Sequence, residues 1–231
     1  MDLVPGYREL PAPAALRGTV ACLWVRVTAD PGEVRVVPDG CTDVIWQRGA
    51  GTSVAGPDTG PRLIGCAAGD VLVGMRFRPG VGGGALGVPL AELRDLQVQV
   101  AELDHAYAAD GELEPEEVVA RFLAAAAGRE ADPLVTLATP RLLDQQVDSV
   151  ARDLGISDRQ LRRRFHAAAG YGPKTLARVL RFRRFVAAVD AGRTDFAAIA
   201  FDAGYADQAH LTREVTRLAG LPPAEFLRVW R

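Results

Sequence analysis

A chain of 231 residues is long for one domain and short for two, so two compact units are expected. Hydrophobic residues make up 48% of the sequence, which excludes a chain that is disordered throughout. The net charge of −2 is unevenly distributed along the chain. Residues 1–132 carry 11 Arg against 19 acidic residues, and residues 133–231 carry 16 basic residues against 10 acidic ones. The resulting charges of −8 and +6 predict that only the second half meets a polyanion.

Two further classes of protein are disfavoured by the sequence. No apolar run approaches the roughly 18 residues of a membrane helix, and residues 1–5 lack the basic and apolar regions of a signal peptide, so we expect a cytoplasmic protein. Cys22, Cys41 and Cys66 are too few for a disulfide framework. Because no Cys-x-x-Cys or His-x-His pair is present, we expect neither a metal site, even with His105, nor a cofactor.

Residues 1–128 are predicted to form a β-rich domain, either a small barrel or a sandwich. Short β-branched or aromatic runs are separated there by Pro, Gly and Asp turns; the runs are 19–27, 33–37, 42–46 and 71–77. A glycine-dense stretch at 80–87 contains the pattern G-x-G-x-x-G. Without a βαβ unit around it this is no dinucleotide fingerprint, and we expect a flexible loop.

From about residue 112 the sequence pattern changes to one that is typical of helices. Pro115 and neighbouring acids open a predicted helix over 114–127, where the acids suit the positive end of the helix dipole. Residues 128–132 are interpreted as a linker. The predicted architecture is therefore α+β with two domains, the β-rich domain 1–128 followed by an all-α domain 133–231.

The all-α domain contains one pattern twice. In the first copy an apolar stripe at spacing i, i+3, i+4, i+7 spans 147–154, and Gly155 follows where a tight turn needs a positive φ. Ser157 and Gln160 form the signature of a capping box, and a second apolar stripe spans 161–168. Helix, short turn and capped helix are the signature of a helix-turn-helix unit.

The second copy lies about 50 residues further on. Its stripe spans 196–203, Gly204 takes the turn, Asp207 takes the cap, and the next stripe spans 211–218. Finding the pattern twice in register is much stronger evidence than finding it once. The sequence therefore predicts two DNA-binding units, with the second helix of each in the major groove.

The exposed faces of these second helices supply the candidate DNA contacts. Arginine can read guanine through two hydrogen bonds, glutamine reads adenine, and threonine offers its methyl to thymine. An arginine run alone is usually a solvated face, but its place on a capped second helix in a basic domain favours DNA. The candidates are Arg159, Arg162, Arg163 and His166 in the first unit, and Gln208, Thr212, Arg213 and Thr216 in the second.

A long helix is predicted between the two units, from Pro173 to about Ala191, closed by Gly192. Nineteen residues at 1.5 Å each give a strut of about 28 Å. Such a strut could hold two recognition helices near one DNA turn, about 34 Å, apart. Phe182 and Phe185 are expected to join the two units as core residues.

These segments resemble the C-terminal domain of AraC/XylS-type transcription regulators. The resemblance covers 133–231 and rests on the segments 147–157, 160–165, 170–173 and 199–226. It implies a bacterial regulator that binds double-stranded DNA, with RNA polymerase as a further candidate partner. It also implies that six of the positions named above face DNA, namely Arg159, Arg162, Arg163, Gln208, Thr212 and Arg213.

The chain departs from the family pattern at a few positions. Leu211 and Val215 stand where an aromatic residue is usual, but both are apolar, so the core is expected to survive. Ala209 replaces what is often a polar reader, which puts base contact at that position in doubt. Pro140 falls within the first expected helix, which is therefore predicted to be kinked or short.

The N-terminal half is similar to the sensor-like domain that precedes this module in a subset of the family. The likeness rests on the segments 37–41, 55–61 and 76–80. It implies a cupin-like barrel that binds a small effector, dimerises, or does both. Because effector sites combine aromatic walls with a few polar anchors, the candidate ligand-binding residues are Trp24, Cys41, Trp46, Arg76 and Arg78.

The sequence thus favours a one-component regulator that is not an enzyme. One alternative is an enzyme fused to a DNA-binding module, either a cupin-type catalyst or an alkyl-transfer protein that uses Cys41. Another is a DNA-binding scaffold without an effector, whose N-terminal half only forms a homodimer.

Overall fold

The computed structural model describes residues 3–103 and 105–230, and for His105 it describes the backbone alone. The N-terminal part is β-rich, as predicted. Its strands are β1 Gly6–Pro11, β2 Val20–Val27, β3 Gly32–Val36, β4 Thr42–Gln47, β5 Gly51–Ala55, β6 Arg62–Cys66, β7 Val71–Phe77 and β8 Gln97–Gln99. The four predicted runs correspond to β2, β3, β4 and β7.

The strands form two antiparallel sheets. Six of them pair in the order β1-β2-β7-β4-β5-β8, and β3 pairs with β6 in a separate two-stranded sheet. Because side chains alternate along a strand, Val44 and Trp46 of β4 lie on the face that packs into the core, whereas Asp43 lies on the other face.

Helices make up most of the chain after β8. They are α1 Gly82–Leu86, which precedes β8, and then α2 Pro115–Ala126, α3 Pro133–Arg141, α4 Val147–Asp153, α5 Asp158–Ala169, α6 Pro173–Asp190, α7 Phe196–Ala203, α8 Gln208–Ala219 and α9 Pro223–Val229. Pro140 lies one residue before the end of α3, so this helix is short, as predicted. Among the described residues no helix is long and apolar enough to cross a membrane.

Buried apolar side chains form two clusters. The first lies between the core face of the six-stranded sheet and α2, and includes Trp46, Phe77 and Phe122. The second fills the helical part. Phe182 and Phe185 are core residues, as expected: both are fully buried, and their ring centroids lie 6.1 and 5.7 Å from that of Phe226.

The prediction of a flexible loop at 80–87 is wrong. Gly82–Leu86 is the helix α1, which packs against α5. A β-carbon at Gly83 would lie 2.3 Å from the carbonyl oxygen of Ala167 in α5, and one at Gly84 would lie 2.1 Å from that of Glu130. Glycine is present because the backbones approach too closely for any side chain.

The segment between the two domains is also held in place. The Asp132 carboxylate caps α3 by accepting from the amide of Leu134 at 2.9 Å. Its other oxygen lies 2.6 Å from the Arg164 guanidinium of α5. The predicted linker is thus tied to the helical domain at its end, and Arg164 is committed to an internal ion pair.

We expect Gly83→Ala to lower the free energy of unfolding by about 1–3 kcal/mol, because overpacking forces the backbone to shift. The measurement is urea unfolding of the full chain. Gly18→Ala is the matched control, since a β-carbon there meets no atom within 4 Å. Equal stability of both variants would contradict a close approach of α1 to α5.

Candidate nucleic-acid interface

The first helix-turn-helix unit is formed by α4 and α5. Gly155 between them has φ +68°, which few residues other than glycine adopt. The Ser157 hydroxyl accepts from the Gln160 amide at 3.2 Å, and the Gln160 side-chain oxygen accepts from the Ser157 amide at 2.9 Å. The predicted capping box is confirmed, and it fixes where α5 begins.

The second unit is formed by α7 and α8 with the same local devices. Gly204 has φ +84°, and the Asp207 carboxylate accepts from the His210 amide at 2.6 Å. Leu211 and Val215 are fully buried, so the two departures from the family pattern leave the core intact, as expected.

On α5 all four candidate side chains are exposed. Arg162 forms an ion pair with Asp158 one turn earlier, at 2.8 Å. Arg159 and Arg163 form no ion pair within residues 3–103 and 105–230. Two guanidinium groups can therefore bind a base edge or a phosphate without first giving up an acidic partner.

On α8 Gln208, Arg213 and Thr216 are exposed and Thr212 is half-buried. The Thr212 hydroxyl donates to the carbonyl of Gln208 at 2.9 Å, and that of Thr216 donates to the carbonyl of Thr212 at 2.8 Å. With their protons used inside the helix, these hydroxyls can only accept from DNA. Contact of the methyl groups with thymine is the more suitable use of both threonines.

The two units are joined by α6. It has 18 residues, one fewer than predicted, and is about 27 Å long. Arg178 of α6 lies 2.6 Å from Glu214 of α8 in a half-buried ion pair, and the phenylalanines of α6 belong to the core cluster to which both units contribute. The orientation of α8 relative to α6 is therefore fixed by both charge and packing.

The candidate ligand-binding residues separate into two sets. Trp24 and Arg76 meet at Asp43, on the sheet face opposite the core: the Trp24 indole donates to the Asp43 carboxylate at 2.7 Å and Arg76 donates to it at 3.1 Å. Burial raises the pKa of Asp43 to about 6, although Arg76 acts to lower it. Cys41 lies nearby, because its amide donates to Asp39 at 2.8 Å and Asp39 lies 3.6 Å from Arg76.

The other two candidates lie elsewhere. Trp46 is fully buried in the core, and its indole donates to the carbonyl of Asp110 at 2.6 Å. Arg78 is exposed just beyond the end of β7 and donates to the carbonyl of Arg17 at 2.6 Å. The structure thus brings together Trp24, Cys41 and Arg76, but not all five residues.

The cysteines are separate thiols. Cys22 and Cys41 are buried, and Cys66 is half-buried. Burial raises the pKa of Cys41 well above its usual value, and burial together with Glu9 raises that of Cys22 to about 11. In the described part of the chain no group of three or more His, Cys, Asp or Glu residues could hold a metal ion.

Sequence reasoning passed over three arginines that the fold brings near one another, Arg94, Arg178 and Arg217. Arg217 follows Arg213 by one turn of α8, so the helical period could have indicated it. Arg94 belongs to the N-terminal domain and lies far away in sequence, so no local pattern could have placed it beside α6 and α8.

Two family models match the chain. Residues 150–228 match a helix-turn-helix domain, and residues 8–99 match a domain of unknown function. The chain therefore matches a different family in each of its two parts, the helical part and the β-rich part. It carries an AraC-type helix-turn-helix domain behind an N-terminal domain of the second matched family.

Solved structures of ToxT from Vibrio cholerae are similar over most of the chain. One covers 96% of this chain and 98% of ToxT at 9% identity, with a TM-score of 0.49. Another, of ToxT with an unsaturated fatty acid bound, covers 87% and 88% at 11% identity, with a TM-score of 0.45. No curated protein matches the chain.

The burial of Cys41 generates a prediction about the thiols. We expect iodoacetamide to alkylate Cys66 first in the native protein and to leave Cys41 and Cys22 unmodified, because only an accessible thiolate attacks. Peptide mass spectrometry measures the modification, and the same reaction in urea, where all three thiols react, is the control. Native alkylation of Cys41 as fast as Cys66 would instead support an alkyl-transfer activity.

Proposed function

We propose that this protein regulates transcription by sequence-specific binding of double-stranded DNA through α5 and α8. The observation that carries the proposal is the pair of capped second helices, joined by α6, each with base-reading side chains on its exposed face. In this proposal residues 133–231 read DNA and residues 1–128 control that reading.

The roles of the six predicted DNA contacts other than the two threonines follow from their surroundings. Arg159, Arg163 and Arg213 are exposed and suited to guanine edges or phosphates, and Gln208 at the start of α8 suits adenine. Arg162 and His166 are suited to phosphates, because Arg162 shares its charge with Asp158. Phosphate contacts supply salt-dependent affinity, and base contacts supply the choice of sequence.

Control through the N-terminal domain is the second part of the proposal. The buried Trp24 and the half-buried Asp43 and Arg76 form a group that supports binding of a small effector, since it combines an aromatic wall with a charged anchor. Dimerisation is supported by β1, an edge strand whose residues are all exposed, including Tyr7 and Leu10. If the protein activates transcription, RNA polymerase is a further partner. Such a regulator acts in the cytoplasm, where the chromosome lies.

The test is a selection of random duplex DNA by the purified full chain and by Arg163→Ala and Arg213→Ala. We expect two short motifs about one helical turn apart. Each variant should lose about 1–3 kcal/mol of discrimination at a base position of its own motif, because a bidentate contact disappears. Arg228→Ala removes the same charge from α9, outside both units, and should leave the motifs unchanged.

A loss of affinity that is uniform across sequences would assign the mutated arginine to phosphate contact instead. Recovery of no motif by the unmodified protein, with weak binding that only follows salt concentration, would contradict sequence-specific regulation.

A further inference from the structure

A cavity of about 310 Å³ lies where the two domains meet. Thr59, Arg94 and Asp95 line it from the N-terminal domain. Its opposite wall comes from Arg178 of α6 and Arg217 of α8, together with Tyr171 from the turn between α5 and α6. A second cavity of about 240 Å³ shares Arg94, Tyr171 and Thr175 with it and adds Lys174. The volume of the first cavity is at the lower end of the range for small-molecule sites.

The walls carry three arginines and the carboxylate of Asp95, and Glu214 pairs with one of the three, Arg178. The Asp95 carboxylate accepts from the Thr59 amide at 2.6 Å and from its hydroxyl at 2.9 Å, and its oxygen lies 3.9 Å from Arg94. A contact of that length between exposed groups neutralises Arg94 weakly. Arg217 has no ionic partner within the part of the chain that the structure describes. An anion could therefore meet both guanidinium groups.

Contacts within the chain hold two other parts of the walls in place. Arg178 is held by its ion pair with Glu214 at 2.6 Å. Asp95 adopts a left-handed backbone, φ +60°, and its double hydrogen bond to Thr59 ties two loops of the N-terminal domain together.

Tyr171 is a further polar group at this junction. Its side chain is 2% exposed, and its hydroxyl has no hydrogen-bond partner among the described residues. Burial raises its pKa, so the phenol keeps its proton. Buried polar atoms in native proteins are almost always paired, and an unpaired donor beside a basic cavity is consistent with an acceptor that is supplied from outside the chain.

We propose that this interdomain cavity binds a small anionic compound through a carboxylate or phosphate group. Guanidinium groups match both anions in shape and charge. Arg94 holds the ligand from the N-terminal domain and Arg217 holds it from the helical domain, beside Arg178, which stays paired with Glu214. A cavity of about 310 Å³ has the size of a small-molecule site and is too small for a duplex.

The position of the site has a consequence that rests on the proposed function. Arg217 belongs to α8, the second predicted DNA-reading helix, and Arg178 reaches that helix through Glu214. A ligand that bridges Arg94 to Arg217 stabilises one arrangement of the N-terminal domain relative to α8. If the protein alternates between this arrangement and another that differs in DNA affinity, the ligand shifts DNA affinity by the difference between its own affinities for the two arrangements.

The test is isothermal titration of the full chain with inorganic phosphate and with citrate, each at constant ionic strength set by sodium chloride. We expect saturable binding of at least one of the two anions. Arg94→Ala and Arg217→Ala should each weaken it about tenfold, because one charge-assisted contact is lost. Arg48→Ala is the matched control, since Arg48 and Arg94 belong to the same domain and their side chains are 42% and 45% exposed; it should bind like the unmodified protein.

Absence of binding of both anions, or equal binding by Arg94→Ala and Arg48→Ala, overturns the proposal. DNA binding is also measured without either anion, so that failure of anion binding can be distinguished from failure of the proposed DNA binding. Arg94→Ala and Arg48→Ala should then bind DNA equally well. A specific loss of DNA affinity in Arg94→Ala would show instead that the cavity receives a DNA phosphate.

Discussion

The arrangement of the whole chain depends on the approach of α1 to α5 at a distance that admits no side chain. Gly83 meets the backbone of Ala167, and a β-carbon at Gly170, just after α5, would lie 2.4 Å from Pro57. The end of α8 is engaged as well, because Arg35 donates to the carbonyl of Ala219 at 3.1 Å. The N-terminal domain therefore packs against the C-terminal ends of both predicted reading helices, and a closely packed contact of this kind shifts between discrete arrangements rather than deforming gradually.

This packing explains how one domain could influence the other. Arg159, Arg163 and Gln208, in the N-terminal halves of α5 and α8, have exposed side chains, whereas the C-terminal ends of both helices lie inside the contact. A change in the N-terminal domain would therefore act on the orientation of the helices and leave the reading side chains themselves untouched. The proposed anion cavity lies along the same junction, next to the last turn of α8.

The number of arginines is a poor guide to function here, because the surroundings of each arginine decide its role. Arg164 follows a predicted DNA contact and Arg178 belongs to α6, yet both are used in internal ion pairs of 2.6 Å. Arg76 is used in the same way around Asp43. Arg159 and Arg163 remain available, and they lie on a face that a capping box and a buried stripe orient. The +6 charge of the helical domain is therefore divided between arginines that hold the structure together and arginines that can meet DNA.

The sequence by itself determined the helix-turn-helix units. Their caps, turn glycines and apolar stripes are local features, each encoded within about two turns of helix, so α4, α5, α7 and α8 could be placed without knowledge of the rest. Strands β1, β5, β6 and β8 could not, because short strands are defined by the partners that they pair with. The same limit explains why Trp24 and Trp46 looked equivalent until the register put them on opposite faces, and why a glycine-dense helix looked like a loop. Only the tertiary structure decided these points and the place of Arg94 beside α8, since close approach between distant segments depends on distance in space and leaves no period in the sequence.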